Sequence, residues 1–311
     1  MVGELSQNSE KLLLKPGTLW HQAIARTEFA RQTGDLKSIE TEYELIEQDK
    51  ISFVIRSLSN ITRKQKAQAE QKLQEAKIGK YIDPFLPYNE NLFVCDLLSS
   101  HLCLLNKYNI VDGHLLIITR DFEEQENLLN IRDFVALWSC MREIDGLAFF
   151  NGGPAAGSSQ RHKHLQLIPL PLVTDLDTLP IQAAIDQVEF DNSLGIVPTF
   201  PFLNAIASYD FTQIDNPFTV GKLMWDCYYA LLEKVGFTLL ENSEQQPGAY
   251  NLLATRKWMM IVPRSRDAFE SIAINSLGFA GSLFVKNETC LKLLKEQSPL
   301  KILSTVAYPK E

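Results

Sequence analysis

Along this chain the spacing of apolar residues changes repeatedly, and each change marks an element. TLWHQAIARTEFARQ (18–32) reads as a first helix. ETEYELIEQDKISFVIRS (40–57) turns strand-like and predicts a hairpin that reverses at Gln48–Lys50. TRKQKAQAEQKLQEAKIGKY (62–81) has almost no apolar stripe and reads as a solvated helix or an insertion. After the prolines of DPFLPYNE (83–90) come two apolar runs of strand length, LFVCDLL and HLCLLNKY. NIVDGHLLIITR follows, with Asp112-Gly113 as a turn signal between strands.

In NIRDFVALWSCMREIDG (130–146), Ile131, Phe134, Val135, Trp138 and Met141 recur at helical spacing, and Phe134, Trp138 and Met141 read as core. Asn130 is placed to cap this helix and Gly146 to stop it. GLAFFN returns as a strand, and HKHLQLIPL follows as another after the loop GGPAAGSSQR. Residues 172–195 read as a connector, 217–235 as a helix, and YNLLATRKWMMIVPRS (250–265) as a strand pair. That pair echoes residues 101–120, more as two similar hairpins than as a repeat. The order predicts an α+β fold with a mostly antiparallel sheet, divided into an N-terminal half (1–172) and a C-terminal half (195–311).

Composition narrows the function. The chain has 311 residues, 45% of them hydrophobic, a length that suits about two domains. A net charge of −8 and a pI of 5.3 predict no nucleic-acid partner. No stretch approaches 18 uninterrupted apolar residues, and the N-terminus lacks the pattern of a signal peptide, so no membrane role is expected. Five scattered cysteines without a CxxC pair suit free thiols in a reducing compartment, and the expected location is cytoplasmic.

The densest chemistry lies in NGGPAAGSSQRHKHLQLIPLP (151–171). In an extended strand His162, His164 and Gln166 project from one face, with Leu165 and Leu167 on the other. The preceding Gly157-Ser158-Ser159-Gln160 offers backbone N–H groups and hydroxyls suited to phosphate oxygens. Metal binding by H-K-H would need a third His, Cys or carboxylate that the motif lacks. Two ordinary strand histidines would explain the pair but not the loop. Attack of a neutral imidazole on phosphorus uses both.

H-K-H-L-Q preceded by N-G-G-P-x-A-G-S-S resembles the active-site stretch of the diadenosine tetraphosphate (Ap4A) phosphorylases, or ATP adenylyltransferases. These are histidine-triad (HIT) proteins, in the branch shared with galactose-1-phosphate uridylyltransferase. DPFLP, HLCLLNKYNIVDGHLLIIT, residues 148–171, YNLLATRKWMMIVPRS and INSLGFAGSLFVK extend the resemblance over most of the chain. It implies a HIT-like sheet flanked by helices and completed by a C-terminal α+β half. It implies that His164 is the nucleophile that takes up AMP, that His162 orients it, and that Gln166 replaces the triad's last histidine on the α-phosphate. Gly157, Ser158, Ser159 and Gln160 then match the family's phosphate loop, and Asn151 the asparagine that opens the segment. Asn106 and Lys107 match a nucleotide-binding pair, and Lys64 a substrate-binding lysine, although its surroundings depart from the family's usual Lys-Pro. Asn275, Ser276, Ser282 and Lys286 fall where the family contacts the second nucleotide; Ser282 stands where some members carry methionine.

The implied reaction is phosphorolysis of Ap4A by inorganic phosphate to ATP and ADP through His164–AMP. Glutamine at 166 favours transfer over hydrolysis because it does not titrate near neutral pH. No covalent cofactor or dedicated metal site is expected; Mg²⁺ would arrive with the substrate's phosphates. The expected partners are small molecules (Ap4A, ATP, ADP and phosphate), and the sequence leaves the oligomeric state open. Two other functions stay open, a hexose-1-phosphate uridylyltransferase-like activity and a non-catalytic nucleotide sensor. Of the remaining polar residues, His21, His101 and His114 read as surface or packing residues. Arg63 and Lys66 read as part of a solvated face, and Arg264 and Arg266 could either reach phosphate or serve structurally.

Overall fold

A computed structural model describes residues 10–58, 81–241 and 243–310; Lys64 and nearly all of the polar stretch 62–81 lie outside them. The elements run α1 (Leu19–Thr33), β1 (Thr41–Gln48), β2 (Ile51–Leu58), β3 (Phe93–Asp96), β4 (His101–Leu105), β5 (Leu115–Thr119), α2 (Ile131–Met141), β6 (Gly146–Gly152) and β7 (His164–Pro169). They continue with α3 (Gln182–Ile185), β8 (Leu194–Gly195), β9 (Ala205–Ser208), α4 (Pro217–Lys234), β10 (Tyr250–Ala254), β11 (Trp258–Pro263), β12 (Ala268–Phe269), β13 (Ile272–Ala273), α5 (Ser276–Phe279), β14 (Ser282–Val285), α6 (Glu288–Gln297) and α7 (Pro299–Val306).

Local chemistry sets many of the boundaries. The β1–β2 hairpin turns through Asp49 and Lys50, both at positive φ, which matches the twist of the strands. Asn130 caps α2 in a capping box with Asp133. The sequence places the stop of this helix at Gly146, but α2 ends at Met141 and Gly146 opens β6. The glycine is needed there for a close approach instead: a Cβ would lie 2.5 Å from the Ile168 carbonyl oxygen. Asp112-Gly113 does lie in a turn, within a nine-residue loop rather than a tight hairpin.

Nine antiparallel strands form the main sheet, in the order β3-β4-β5-β7-β6-β10-β11-β9-β8, and the strands of both halves pair directly at β6–β10. A smaller sheet, β1-β2-β14, joins the N-terminal hairpin to β14 in parallel. Alternation divides the main sheet's side chains. One face, with Cys103, Ile117, Leu165, Phe150, Leu252 and Ile261, packs on α1, α2 and α4. On the other face a large cluster covers β6, β10, β11 and β9 with residues from β2, β14 and α5–α7. A small separate cluster (Phe85, Leu102, Leu104, Leu116, Ile118) covers β4 and β5. Between the two apolar patches runs β7, which presents His164 and Gln166 on that face before Ile168 joins the large cluster. Among the described residues, no helix is long and apolar enough to cross a membrane. All five cysteines are free.

Candidate active site

Strand β7 is held from both sides, which fixes where its polar face points. Leu165 and Leu167 are buried against the helices. Beneath the strand Lys163, 1% exposed, reaches Asp133 at 2.7 Å and Glu123 at 2.9 Å, and His101 Nε2 lies 3.0 Å from Asp133. Burial opposes ionisation of Asp133, but Lys163 and His101 outweigh it and hold the carboxyl at about 2. His101 therefore serves structure, as its sequence context suggests; His21 is exposed.

On the working face, β6 and β7 part before the loop. The amide of buried Gln125 inserts between them: His164 N–H donates to Gln125 Oε1 at 2.9 Å, and Gln125 Nε2 donates to the carbonyls of Asn151 (2.9 Å) and His164 (3.3 Å). A side chain thus replaces ladder bonds where the strands diverge. Nothing in the sequence EEQENLL marks this glutamine.

The geometry of His164 suits a nucleophile. Its Nδ1 lies 2.8 Å from the His162 carbonyl oxygen. Since a carbonyl only accepts, Nδ1 carries the proton and Nε2 carries the lone pair. Burial drives the ring's pKa down to about 4, so it is neutral at physiological pH. His162 meets the His164 ring through its backbone carbonyl; its own ring is fully buried, with Nδ1 2.8 Å from Asp83 and Nε2 2.9 Å from the Thr119 carbonyl. Asp83 comes from DPFLP, and Phe85 of the same segment packs edge-on against both histidines.

Gln166 Oε1 faces His114 Nε2 at 2.9 Å, and Asn106 Nδ2 lies 3.3 Å from His114 Nδ1. An amide oxygen only accepts, so His114 donates from Nε2 to Gln166 Oε1, a bond that uses neither Gln166 amide hydrogen; Asn106 Nδ2 lies within 3.4 Å of both His114 ring nitrogens. Of the two readings of His114, the structure excludes the surface one: the residue is buried and its ring meets Gln166. The signal was present: in HLLIIT, alternation places residue 114 on the face of Leu116, which pairs with Gln166. Lys107, in the same loop as Asn106, lies over the Tyr108 ring.

The loop after β6 is shaped by glycine. Gly157 has φ 87°, and a Cβ there would lie 2.6 Å from the Ile274 carbonyl oxygen, so the loop packs directly on the segment ending at Asn275. Ser158 Oγ donates to the Gln160 carbonyl, and Ser159 is exposed. Asn151 and Ser276 lie behind the loop: Asn151 Oδ1 accepts from Ser276 N–H (2.9 Å), Ser276 Oγ (2.8 Å) and Asn251 Nδ2 (2.9 Å). Asn275 caps α5 by accepting from Leu277 N–H.

Arg264 settles one of its two readings. It is 1% exposed, and it donates to Asn251 Oδ1 and to the carbonyls of Ala156, Val306, Arg266 and Ile274. It does not reach out to phosphate; it ties the loop to the C-terminal layer. Burial lowers its pKa to about 10, so it stays charged at neutral pH. Ser282 (buried) and Lys286 (exposed) belong to β14 and its exit, in the smaller sheet rather than beside β7. Among the described residues, no group of three or more His, Cys, Asp or Glu could hold a metal ion.

Comparison with known proteins adds to this geometry. The family model for the Ap4A phosphorylase N-terminal domain matches residues 9–187, and that for the ATP adenylyltransferase C-terminal domain matches residues 198–309. The chain is 29% identical over 260 residues to "Diadenosine 5',5'''-P1,P4-tetraphosphate phosphorylase 2" of Saccharomyces cerevisiae, spanning 74% of this chain and 78% of the yeast protein. It is 27% identical over 310 residues to Protein APA1 of the same yeast, spanning 90% and 91%. The crystal structure of yeast Ap4A phosphorylase Apa2 superposes with a TM-score of 0.76 at 23% identity, covering 96% of this chain and 97% of that one.

Proposed function

The chain belongs to the Ap4A phosphorylase family, and from that premise we propose that it converts Ap4A and inorganic phosphate to ATP and ADP by two adenylyl transfers through His164. The observation that carries this reading is the state of His164. Its Nδ1–H is locked on the His162 carbonyl, and its neutral ring presents Nε2 on the polar strip of the sheet.

In the first transfer Nε2 attacks the α-phosphorus at one end of Ap4A. The N–P bond forms, the P–O bond to the departing ATP breaks, and ATP leaves with the electron pair. The ring becomes positively charged, and the Nδ1–H···O=C bond to His162 strengthens as it does so. In the second transfer an oxygen of inorganic phosphate attacks the same phosphorus, the N–P pair returns to Nε2, and ADP leaves. The N–H groups of Gly157 and Ser158 close the loop on the Pro154 and Gly153 carbonyls, so those of Ser159 and Gln160, with the Gln166 amide, meet the charge on the non-bridging oxygens. His114 and Asn106 hold Gln166 with its donors available. Gln166 supplies no titrating base for water, so the adduct waits for an anionic acceptor.

Asn151, Ser276 and Asn275 shape the loop and its neighbouring segment, and contacts of Lys64, Lys107, Ser282 and Lys286 with substrate form part of the same proposal. A divalent cation enters on the substrate's phosphates, and no step is routed through it. The free thiols suit a reducing, cytoplasmic setting.

The test is incubation with α-labelled Ap4A, with and without phosphate. Labelled protein is expected without phosphate, and ATP plus ADP with it. His164→Ala should lose both, and preserved turnover in that variant would refute the mechanism. Production of UDP-galactose-type sugar nucleotides from UDP-glucose and galactose 1-phosphate, with no Ap4A cleavage, would move the chain to the uridylyltransferase reading.

A further inference from the structure

We infer that Asp83 and Thr119 hold His162 as a buried imidazolium, a positioning cation that keeps a second proton off the neighbouring His164 and its adenylyl adduct reactive. This deepens the adenylyl-transfer reading and rests on it. The argument begins with hydrogen-bond roles. His162 Nδ1 lies 2.8 Å from an Asp83 carboxylate oxygen, and Nε2 lies 2.9 Å from the Thr119 carbonyl oxygen. Both partners accept; neither donates. A neutral imidazole has one N–H and would turn a lone pair toward one of them, whereas an imidazolium satisfies both. Thr119 Oγ1 lies 3.0 Å from Nε2 and can donate or accept there, so Thr119→Val tests whether Nε2 carries a proton of its own.

The surroundings suit a charge built in at a fixed place. The ring has no exposure, and Asp83 is 13% exposed. Phe85 and Phe122 stand edge-on to it at 5.6 and 5.5 Å and exclude water. Asp83 is therefore the counter-ion that makes burial of the cation tolerable. Among the described residues, the charged or titratable groups on this side include Tyr81, Glu124 and Arg161; Arg161 pairs with Glu124 and lies over the Tyr81 and Phe122 rings. Lys163 points to the opposite face, where Asp133 and Glu123 neutralise it.

Two consequences follow for His164, whose ring faces Phe85 and whose backbone meets Gln125. A second proton on its ring would place two cations side by side in a dry site, so protonation is disfavoured. The adenylylated ring carries that same positive charge, so the adduct lies uphill and readily passes AMP to phosphate.

The first experiment needs no substrate: a long-range nitrogen–proton correlation spectrum of the full chain with ¹⁵N-histidine. At neutral pH His162 is expected to show two protonated nitrogens and His164 one. A single protonated nitrogen on His162 would overturn the inference. Asp83→Asn keeps an acceptor without the charge. His162 should then lose one proton, and the acid limb of the first half-reaction should move up by about one pH unit, while KM for Ap4A changes less than the rate. Asp83→Glu should restore both readouts. Thr119→Val keeps the carbonyl and should leave two protons on His162. An unchanged acid limb in Asp83→Asn, with His162 singly protonated, would refute the coupling to His164. Absence of His164 labelling in the unaltered protein would instead refute the adenylyl-transfer reading, and the spectrum would still report on the Asp83–His162 pair.

Discussion

In the proposed mechanism, protonating His164 removes the lone pair that attacks phosphorus, so the acid limit of the first half-reaction is set by how strongly the fold resists that proton. Burial moves the ring from an ordinary value of 6.5 to about 4. That difference corresponds to about 3 kcal/mol against the charged form. At pH 5.5 an unperturbed histidine is about one-tenth neutral, whereas His164 is about 97% neutral. Single-turnover adenylylation, followed by rapid mixing of α-labelled Ap4A with excess protein and an alkaline quench, should therefore run at pH 5.5 nearly as fast as at pH 7.5. Omitting phosphate matters, because the acceptor's own titration near neutrality would otherwise shape the profile. The profile of kcat/KM is the one to read, since it reports the free protein. A tenfold fall between pH 7.5 and 5.5, with a midpoint near 6.5, would refute the claim that burial keeps the nucleophile neutral. The same shift has a stability counterpart. The folded value lies below the unfolded one, so the contribution is fully present above about 6.5 and is lost as pH falls towards about 4. Acid titration of stability should show that loss in the unaltered protein and lack it in His164→Ala.

Two further outcomes test how the site is supported. Arg264→Lys exchanges five donors that meet five acceptors for three, and losing two buried hydrogen bonds to a charged donor costs about 3 kcal/mol or more; thermal unfolding should come several degrees lower, and KM for Ap4A should rise as the 153–160 loop loosens. Gln166→His introduces a titrating ring next to the adduct and should raise phosphate-independent release of AMP by about tenfold or more; unchanged AMP release would show that the glutamine is not what protects the intermediate from water.

Much of this molecule is written locally in its sequence. Alternation and turn chemistry determine the β1–β2 hairpin at Asp49–Lys50, the capped α2 at Asn130, and the projection of His164 and Gln166 from one face with Leu165 and Leu167 opposite. These depend on neighbours within a few residues, where propensity and periodicity act. The placement of His114 was open to the same reasoning, and only the strand register made its meaning plain. Other features arise from pairs far apart in the chain. Asp83 meets His162 across 79 positions, Gln125 enters between strands 26 and 39 residues away, and Arg264 reaches the carbonyls of Val306 and Ala156, 42 and 108 residues away. No local period encodes such contacts. Burial of a polar group demands a partner wherever the fold can bring one, and the nine-stranded sheet decides which partner that is.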